Sequence, residues 1–227
     1  IYFMILEDIS TVLTVRKGSQ RVKNKNLKPF SKKNLLAYKI ETLLKVKSIK
    51  KIIINTDSDD AISIAKEYDV EFHKRDPYFA SSECPNSEFW KHIAENTKSE
   101  FILFTHCTNP MIKPETYEDM IKIFQKNKEN HDSFNSVSEV KEFLILNKKP
   151  INFQFSKAPN SQDLPDVIKL NFAINILSTE LMKKKKSLIG DRPFFYKLSA
   201  VEGFDINTNL DFEFGEFLFN KETKSGY

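Results

Sequence analysis

The chain alternates short apolar runs with segments of helical period, and this alternation limits its fold more than any other feature of the sequence. Apolar runs that suit strands buried on both faces lie at Ser10–Val15, Lys51–Thr56 and Phe101–Thr105. Helical periods lie at Asn34–Val46, Asp59–Tyr68, Asn86–Asn96 and Pro114–Asn127. Strands that alternate with helices of roughly 10–15 residues are joined by right-handed crossovers. The predicted fold class is therefore α/β, a three-layer sandwich with a mainly parallel sheet.

Weaker patterns extend this alternation. Further elements are predicted at Glu71–His73 (edge strand), Ser133–Val137 and Leu170–Ile176 (strands), and Thr179–Lys185 and Asn209–Phe219 (helices). Residues 4–227 are expected to form a single domain that starts at Met4, because Ile1–Phe3 precede the first methionine.

The alternation stops between Glu139 and Leu170, and residues 139–170 are called the excursion below. Here Phe143–Leu146 and Ile151–Phe155 predict a small β-hairpin around a turn at Lys148-Lys149. An extended loop with two prolines follows. Such an excursion from an α/β core is typical of a lid or a dimer interface, and we expect a homodimer.

Composition excludes several classes of protein. The net charge of +4 comes from 35 basic and 31 acidic residues, which is too mixed to indicate nucleic-acid or membrane binding. No apolar run approaches the roughly 20 residues that span a bilayer. The two cysteines have no CxxC spacing, so neither a disulfide framework nor an oxidising compartment is indicated. A cytoplasmic protein is expected.

The segment Arg16–Asn26 is the most informative part of the sequence. It follows the first buried strand, and ligands of parallel α/β sheets bind beyond the carboxyl ends of the strands. Gly18 permits a close backbone approach or a positive φ. Five cations share these few residues, and they are Arg16, Lys17, Arg21, Lys23 and Lys25. The pattern suits a triphosphate, although composition alone fits an exposed basic loop equally well. The spacing is not that of a Walker A loop.

At this point the chain resembles a known family, the acylneuraminate cytidylyltransferases, or CMP-sialic acid synthetases. The residues that carry the resemblance are Val15-Arg16-Lys17-Gly18-Ser19-Gln20 and then Lys25-Asn26-Leu27. Similar motifs follow in order along essentially the whole chain, at Asn55–Ser58, Arg75–Ser82, Thr105–Pro110, Asn171–Asn175 and Phe204–Phe212. Each motif is weak alone, but their common order makes the resemblance specific.

The resemblance implies a reaction and a set of site residues. The reaction is attack of an acidic sugar's hydroxyl on the α-phosphorus of CTP, with Mg²⁺ as cofactor and pyrophosphate as leaving group. Catalytic roles would fall to Arg16, Lys25 and Asp205. The expected nucleotide-binding residues are Arg16, Gly18, Ser19, Arg21, Lys25, Asn26, Arg75, Ala80 and Ser82. The expected acceptor-binding residues are His106, Thr108, Ser161, Gln162 and Asn171. Mg²⁺ would be held by Asp205 and Asn207.

Asp205 and Asn207 are also supported by their spacing. In an extended Asp-Ile-Asn segment, residues i and i+2 share a face and can reach one ion. The alternative for Asp205 is a capping role before the last helix, a role that Asp211 fits better. The family normally has a second Asp at position 207 and a Lys at position 20, where this chain has Gln20.

Two alternatives stay open. The reduced charge at Gln20 and Asn207 also fits a catalytically weak nucleotide-binding homologue. A cytidylyltransferase for a different acidic acceptor is the other alternative, because this chain has His106 where the family has Gln, Phe172 where it has Gly, and a compact excursion. His106 stands where the family has Gln, and it is either a structural histidine or a hydrogen-bond donor to the acceptor. A basic nucleic-acid-binding module is disfavoured because the cations lie in one loop rather than along a stripe.

Overall fold

A computed structural model describes residues 8–19 and 21–225, so Met4 and Gln20 lie outside the described residues. The strands are β1 (Ile9–Val15), β2 (Pro29–Phe30), β3 (Lys33–Asn34), β4 (Lys51–Thr56), β5 (Glu71–Lys74), β6 (Phe101–His106), β7 (Ser133–Val140), β8 (Ile145–Leu146), β9 (Lys149–Pro150), β10 (Val167–Ser178) and β11 (Pro193–Lys197). The helices are α1 (Leu35–Leu44), α2 (Asp59–Glu67), α3 (Asn86–Glu95), α4 (Pro114–Asn127), α5 (Thr179–Lys185) and α6 (Asn209–Ser225).

Seven strands form one sheet in the order β11-β7-β10-β6-β1-β4-β5. β1 pairs in parallel with β4 and β6, β4 with β5, and β7 with β11, which confirms the mainly parallel α/β sheet. β10 runs antiparallel to both β6 and β7. The chain leaves β7 through the excursion and returns at the same end of the sheet without a crossover helix, so an antiparallel neighbour is the geometric result.

Two hydrophobic clusters cover the two faces of the sheet. In β1, Leu13 and Val15 belong to the larger cluster with α1, α2, α4 and α6, whereas Val12 belongs to the smaller one with α3 and α5. Successive side chains of a strand point to opposite faces, so this division follows from the two-residue period. The predicted three-layer sandwich is confirmed. No helix within residues 8–19 and 21–225 is long and apolar enough to cross a bilayer.

The hairpin of the excursion differs from its prediction. Its strands are only β8 and β9, and the turn lies at Asn147-Lys148, where both residues have positive φ (51° and 64°). A turn with two left-handed residues is the type I′ pattern, which favours Asn at its first position. Ile151–Phe155 is not a strand, because the side chain of Asn152 binds the backbone of Leu144 and Glu142 instead.

Two other strand predictions were inaccurate. β10 begins at Val167, three residues before the predicted Leu170, because Val167 pairs with Val140 at the end of β7. β11 was missed altogether. It is an edge strand that begins with Pro193, a position where the missing N–H removes no ladder hydrogen bond.

Candidate active site

A cleft of about 410 Å³ opens at the carboxyl ends of β1 and β6, and it is called the β1 cleft below. Twelve of the predicted site residues line this cleft. They are Arg16, Ser19, Arg21, Lys25, Asn26, Arg75, Ala80, His106, Thr108, Asn171, Asp205 and Asn207. They come from parts of the chain almost 200 residues apart. Residues that are distant in sequence therefore converge on one cavity, at the sheet edge where parallel α/β folds bind ligands.

The β1–α1 loop is fixed at its start and in its middle. Gly18 has φ +72°, a left-handed conformation that glycine adopts without steric cost, and its neighbour Lys17 donates its backbone N–H to Asp57 Oδ1 at 2.8 Å. Val22 is fully buried, which fixes the middle of the loop to the core. Gly18 itself does not line the β1 cleft, so its contribution is the turn rather than a ligand contact.

Arg75 is a buried cation in the wall of the β1 cleft. Its guanidinium donates to Asn55 Oδ1 at 3.0 Å and to the carbonyl of Val15 at 3.1 Å, and it lies over the ring of Phe89. Burial lowers the pKa of Arg75 to about 10, an effect that the nearby Asp57 carboxylate opposes. The side chain thus stays charged at neutral pH and ties the ends of three strands together. Its Nε is buried and has no hydrogen-bond partner among the residues that the structure describes.

Lys25 and Asp205 form the electrostatic centre of the cleft. The ammonium of Lys25 donates to the carbonyl of Ile206, next to Asp205 in the chain. Burial lowers the pKa of Lys25, and the Asp205 carboxylate raises it in opposition. A partly dehydrated cation beside a carboxylate gives a site where an anionic ligand and a bound cation can both be stabilised.

Three hydrogen bonds hold the segment that carries Asp205. Ile206 donates its backbone N–H to the carbonyl of Thr108 at 2.9 Å, and the Asn109 amide donates to the carbonyl of Phe204 at 3.1 Å. Asn109 is held in turn by the buried ammonium of Lys39, which donates to its backbone carbonyl at 2.8 Å. The end of β6 therefore fixes the position of Asp205 from both sides.

Asp211 has the capping role that was the alternative for Asp205. Its carboxylate accepts the backbone N–H of Asn207 at 3.0 Å and of Thr208 at 2.7 Å, while Thr208 Oγ1 accepts the N–H of Asp211 at 3.2 Å. This reciprocal pair is a capping box at the start of α6. Asp205 is consequently left to face the cleft.

His106 lies in the β1 cleft with its Nδ1 3.2 Å from Thr14 Oγ1. Burial lowers the pKa of His106 to about 4, and the Asp205 carboxylate only partly offsets this. The imidazole is therefore neutral near pH 7 and can offer one N–H donor and one acceptor. Thr108 lines the same cleft.

A second cavity of about 850 Å³ adjoins the first, and it is called the β10 cavity below. Its walls come from β7, β10, β11 and the segment before α6. Four residues, Asn171, Phe172, Asp205 and Asn207, line both cavities. Three cations line the β10 cavity alone, and they are Lys141, Lys169 and Lys197. Two adjoining cavities that share Asp205 could hold two ligands close to one another, which is how an enzyme brings two reactants together.

Four predicted site residues lie outside both cavities, and one of them is Gly18, at the turn of the β1–α1 loop. Ser161 and Gln162 lie on an exposed 3₁₀ turn of the excursion, and Ser82 is also exposed. Sequence reasoning in turn missed Phe79, Cys84 and Phe89, which line the β1 cleft. No pattern in the sequence assigned Cys84 to the site. The two aromatics lie in or near motifs that were recognised, but aromatic residues at helical spacing indicate core packing more often than a ligand contact.

Asp205 supplies the carboxylate that could hold a divalent metal in the β1 cleft. Asn207 donates its side-chain amide N–H to Asp205 Oδ2 at 2.6 Å. The amide nitrogen, and not the amide oxygen, therefore lies against the Asp205 carboxylate. Within residues 8–19 and 21–225, no group of three or more His, Cys, Asp or Glu side chains could hold a metal. Mg²⁺ in phosphoryl-transfer sites is commonly held by one or two carboxylates plus substrate phosphates and water. The residues present therefore fit an ion that arrives with a nucleotide.

Comparisons with known proteins agree with this geometry. The profile of the family described as Cytidylyltransferase matches residues 11–171. A CMP-N,N'-diacetyllegionaminic acid synthase of Campylobacter jejuni is 25% identical over 97% of this chain and 98% of its own length. The post-translational flagellin modification protein B of Campylobacter coli is 24% identical, over 96% of this chain and 97% of its own.

A similar fold is found among solved structures. A CMP:2-keto-3-deoxy-manno-octonic acid synthetase complexed with CTP has a TM-score of 0.71 to this chain at 12% identity, and the match covers 95% of this chain and all of that one. At this identity the likeness shows the fold alone.

Proposed function

The chain belongs to the cytidylyltransferase family, and from that premise we propose that it joins the CMP of CTP to an acidic sugar of the nonulosonic or keto-deoxy acid type. One observation carries the proposal. Three loop cations, Arg16, Arg21 and Lys25, share one cleft with the carboxylate of Asp205, at the carboxyl ends of parallel strands. The acceptor class comes from the relatives, one of which is named for a legionaminic acid.

In the proposed reaction, a hydroxyl oxygen of the acceptor attacks the α-phosphorus of CTP. The bond from that phosphorus to the bridging oxygen of pyrophosphate breaks, and the hydroxyl proton passes to water. Arg16 and Lys25 would bind triphosphate oxygens and stabilise the charge that develops on pyrophosphate. No covalent enzyme intermediate is needed, because placing the two substrates in line supplies much of the acceleration.

We assign the divalent cation of this reaction to Asp205, with Mg²⁺ as the expected ion. When bound, it would neutralise phosphate charge and polarise the α-phosphorus. Asn207 would contribute its amide oxygen only after giving up its hydrogen bond to Asp205. CTP is a cytoplasmic metabolite, so the proposed reaction belongs to the cytoplasm.

The acceptor is assigned to the β10 cavity. Of its three cations, Lys141 pairs with Asp166 at 2.9 Å and Lys197 with Glu139 at 3.0 Å. Lys169 forms no ion pair within the part of the chain that the structure describes, so it is the cation most available to an acceptor carboxylate. Asn171 lines both cavities and would lie near the reacting hydroxyl.

The proposed function is tested by measuring pyrophosphate release from CTP, ATP, GTP and UTP with Mg²⁺ and a set of acidic sugars. Release that requires both CTP and one acidic sugar is the expected result. CTP binding without pyrophosphate from any sugar would instead favour a catalytically weak nucleotide-binding homologue. Omitting the acceptor controls for simple hydrolysis of CTP.

We further propose that the excursion pairs with a second copy of the chain. It exposes several large apolar side chains, which are Phe143, Ile145, Leu146, Ile151 and Phe155. Large contiguous patches of exposed apolar side chains mark interaction surfaces. Sedimentation equilibrium should give a dimer, and Ile145→Asp with Leu146→Asp should shift it to the monomer. A monomer at all concentrations would contradict this proposal without affecting the proposed reaction.

A further inference from the structure

Phe172 stands at the junction of the two cavities. It lines the β1 cleft together with Arg75 and Asp205, and it also lines the β10 cavity together with Leu170 and Phe204. An acceptor that reaches from the β10 cavity towards a nucleotide in the β1 cleft passes the four residues that line both, and Phe172 is the apolar one among them. Phe172 is therefore placed to affect which acceptors reach the point of transfer.

The backbone at Phe172 is unusual for a bulky residue. Its φ is +52°, in the left-handed region, where a side chain larger than that of glycine is disfavoured. It lies in an irregularity of β10, where the pairing with β7 shifts between Leu170 and Asn175. Bulky residues persist in this conformation only where the surroundings enforce it, and such positions cluster at functional sites.

A network of polar side chains enforces this conformation. Asn171 accepts from Ser136 Oγ at 2.6 Å and donates to Ser138 Oγ at 2.9 Å, which fixes the residue before Phe172. The amide of Asn175 donates to the carbonyl of Phe172 at 3.0 Å, and the amide of Asn135 donates to Asn175 Oδ1 at 3.0 Å. The backbone of Phe172 is thus held from β7 and from β10 itself.

The ring of Phe172 has a defined neighbour. Its centroid lies 6.0 Å from that of Trp90 on α3, and both residues pack against the smaller hydrophobic cluster. Trp90 is the single tryptophan of the chain. A ring supported on one side and bordering two cavities on the other presents a fixed apolar surface to whatever occupies the junction.

The walls of the β10 cavity contain both charged and apolar side chains. Lysines supply cations, and the apolar side chains are those of Leu170, Phe172, Leu198, Ala200 and Phe204. A hydroxyl placed against such a surface loses its hydrogen bonds to water without replacing them. A methyl or acyl substituent placed there gains apolar contact instead.

We propose that Phe172 determines acceptor specificity, by favouring acidic sugars that place a methyl or N-acyl substituent at the junction over sugars that place hydroxyls there. The inference rests on the proposed function, because it concerns the acceptor of that reaction. Its physical basis is a bulky aromatic ring between the two cavities, on a residue whose backbone is held in the left-handed conformation.

The experiment compares two acceptors, N,N'-diacetyllegionaminic acid and 2-keto-3-deoxy-manno-octonic acid, which has no acyl substituent. Pyrophosphate release gives kcat/KM for each acceptor in the wild type, Phe172→Gly and Phe172→Tyr. Glycine suits the positive φ, so this change removes the ring without adding backbone strain. Asp69→Gly is the matched control, because Asp69 has φ +53° but is exposed after α2 and lines neither cavity.

The wild type should prefer the N-acylated acceptor, and Phe172→Gly should lower this preference roughly tenfold, the scale of a few apolar contacts in a pocket. KM for CTP should change less than about twofold. Phe172→Tyr should keep the preference, since the ring remains, and Asp69→Gly should leave it unchanged. An equal fall for both acceptors in Phe172→Gly would overturn the inference and leave the proposed function standing.

Absence of pyrophosphate with every acidic sugar would count against the proposed function instead. The inference is then decided by titrating each acid into the CTP-bound protein while following Trp90 fluorescence. Tighter binding of the N-acylated acid in the wild type, lost in Phe172→Gly, would support the inference. Equal binding of the two acids, or no fluorescence change with either, would overturn it.

Discussion

The β1 cleft and the β10 cavity share a wall, but their charged groups are held in different ways. In the β1 cleft, Arg75 is buried and Lys25 is half-buried, and both donate to backbone carbonyls from other parts of the chain. In the β10 cavity, Lys169 is exposed on β10 and Lys197 pairs with the exposed Glu139. Lys141 pairs with the exposed Asp166 and also donates to the carbonyl of Leu164 at 3.0 Å.

This difference suggests a division of roles. Groups fixed by burial and backbone hydrogen bonds are preorganised for a ligand of invariant shape, as the triphosphate of CTP is. Long lysine side chains at the protein surface can adjust to different anions, and surface ion pairs of this kind contribute little to stability. The β1 cleft is therefore suited to the chemistry, and the β10 cavity to acceptor choice. The four predictions below test this division.

The largest effect is expected for Asp205→Ala, because Asp205 lines both cavities and is the residue assigned to the divalent cation. Turnover should fall roughly a thousandfold, the scale of losing a metal-ion contact together with the charge beside Lys25. Pyrophosphate release measures turnover, and thermal unfolding tests whether the fold is kept. Thr208→Ala is the control, since it weakens the α6 capping box by about 1 kcal/mol and should keep turnover. Near-normal activity of Asp205→Ala would refute the assignment.

Lys25→Met should lower kcat/KM for CTP roughly a hundredfold, because one preorganised cation is lost from the cleft. KM for the acceptor should stay within about twofold. Lys23→Met is the matched control, as Lys23 is an exposed cation of the same loop that lines neither cavity. Equal losses in both variants would mean that the loop acts through general charge rather than through a fixed contact.

Lys169→Met should lower kcat/KM for the acceptor roughly tenfold and leave KM for CTP unchanged, because one charge-assisted hydrogen bond to a carboxylate is lost. Steady-state kinetics with each substrate varied separately gives both values. Lys184→Met, on the exposed side of α5, should change neither. A matching rise in KM for CTP would break the proposed division between the two cavities.

The smallest effect is expected for Asn207→Asp. A second carboxylate beside Asp205 should strengthen Mg²⁺ binding, so the Mg²⁺ concentration for half-maximal activity should fall a few-fold. This half-maximal Mg²⁺ concentration is measured by titrating activity against MgCl₂ at saturating CTP. An unchanged or higher requirement would mean that residue 207 does not reach the ion.

Much of the candidate site could be predicted from sequence, because its residues lie in short motifs at strand ends. Arg16, Lys25 and Asp205 were predicted from such motifs, and all three line the β1 cleft. Ser161 and Gln162 were assigned to the acceptor without a local pattern, and they lie on the exposed turn of the excursion. The assignment of His106 to the acceptor stays a prediction, since His106 lines the β1 cleft and not the β10 cavity.

The sequence by itself determined the α/β class, the buried strands and the position of the β1–α1 loop, because side-chain period and loop chemistry are local properties. Only the tertiary structure decided that β10 runs antiparallel, that β11 pairs at the edge and that Phe172 has a positive φ. Each of these depends on which distant backbone and side-chain groups supply hydrogen-bond partners. No window of sequence around Phe172 contains Ser136, Ser138 and Asn135, yet these residues hold its bulge in place.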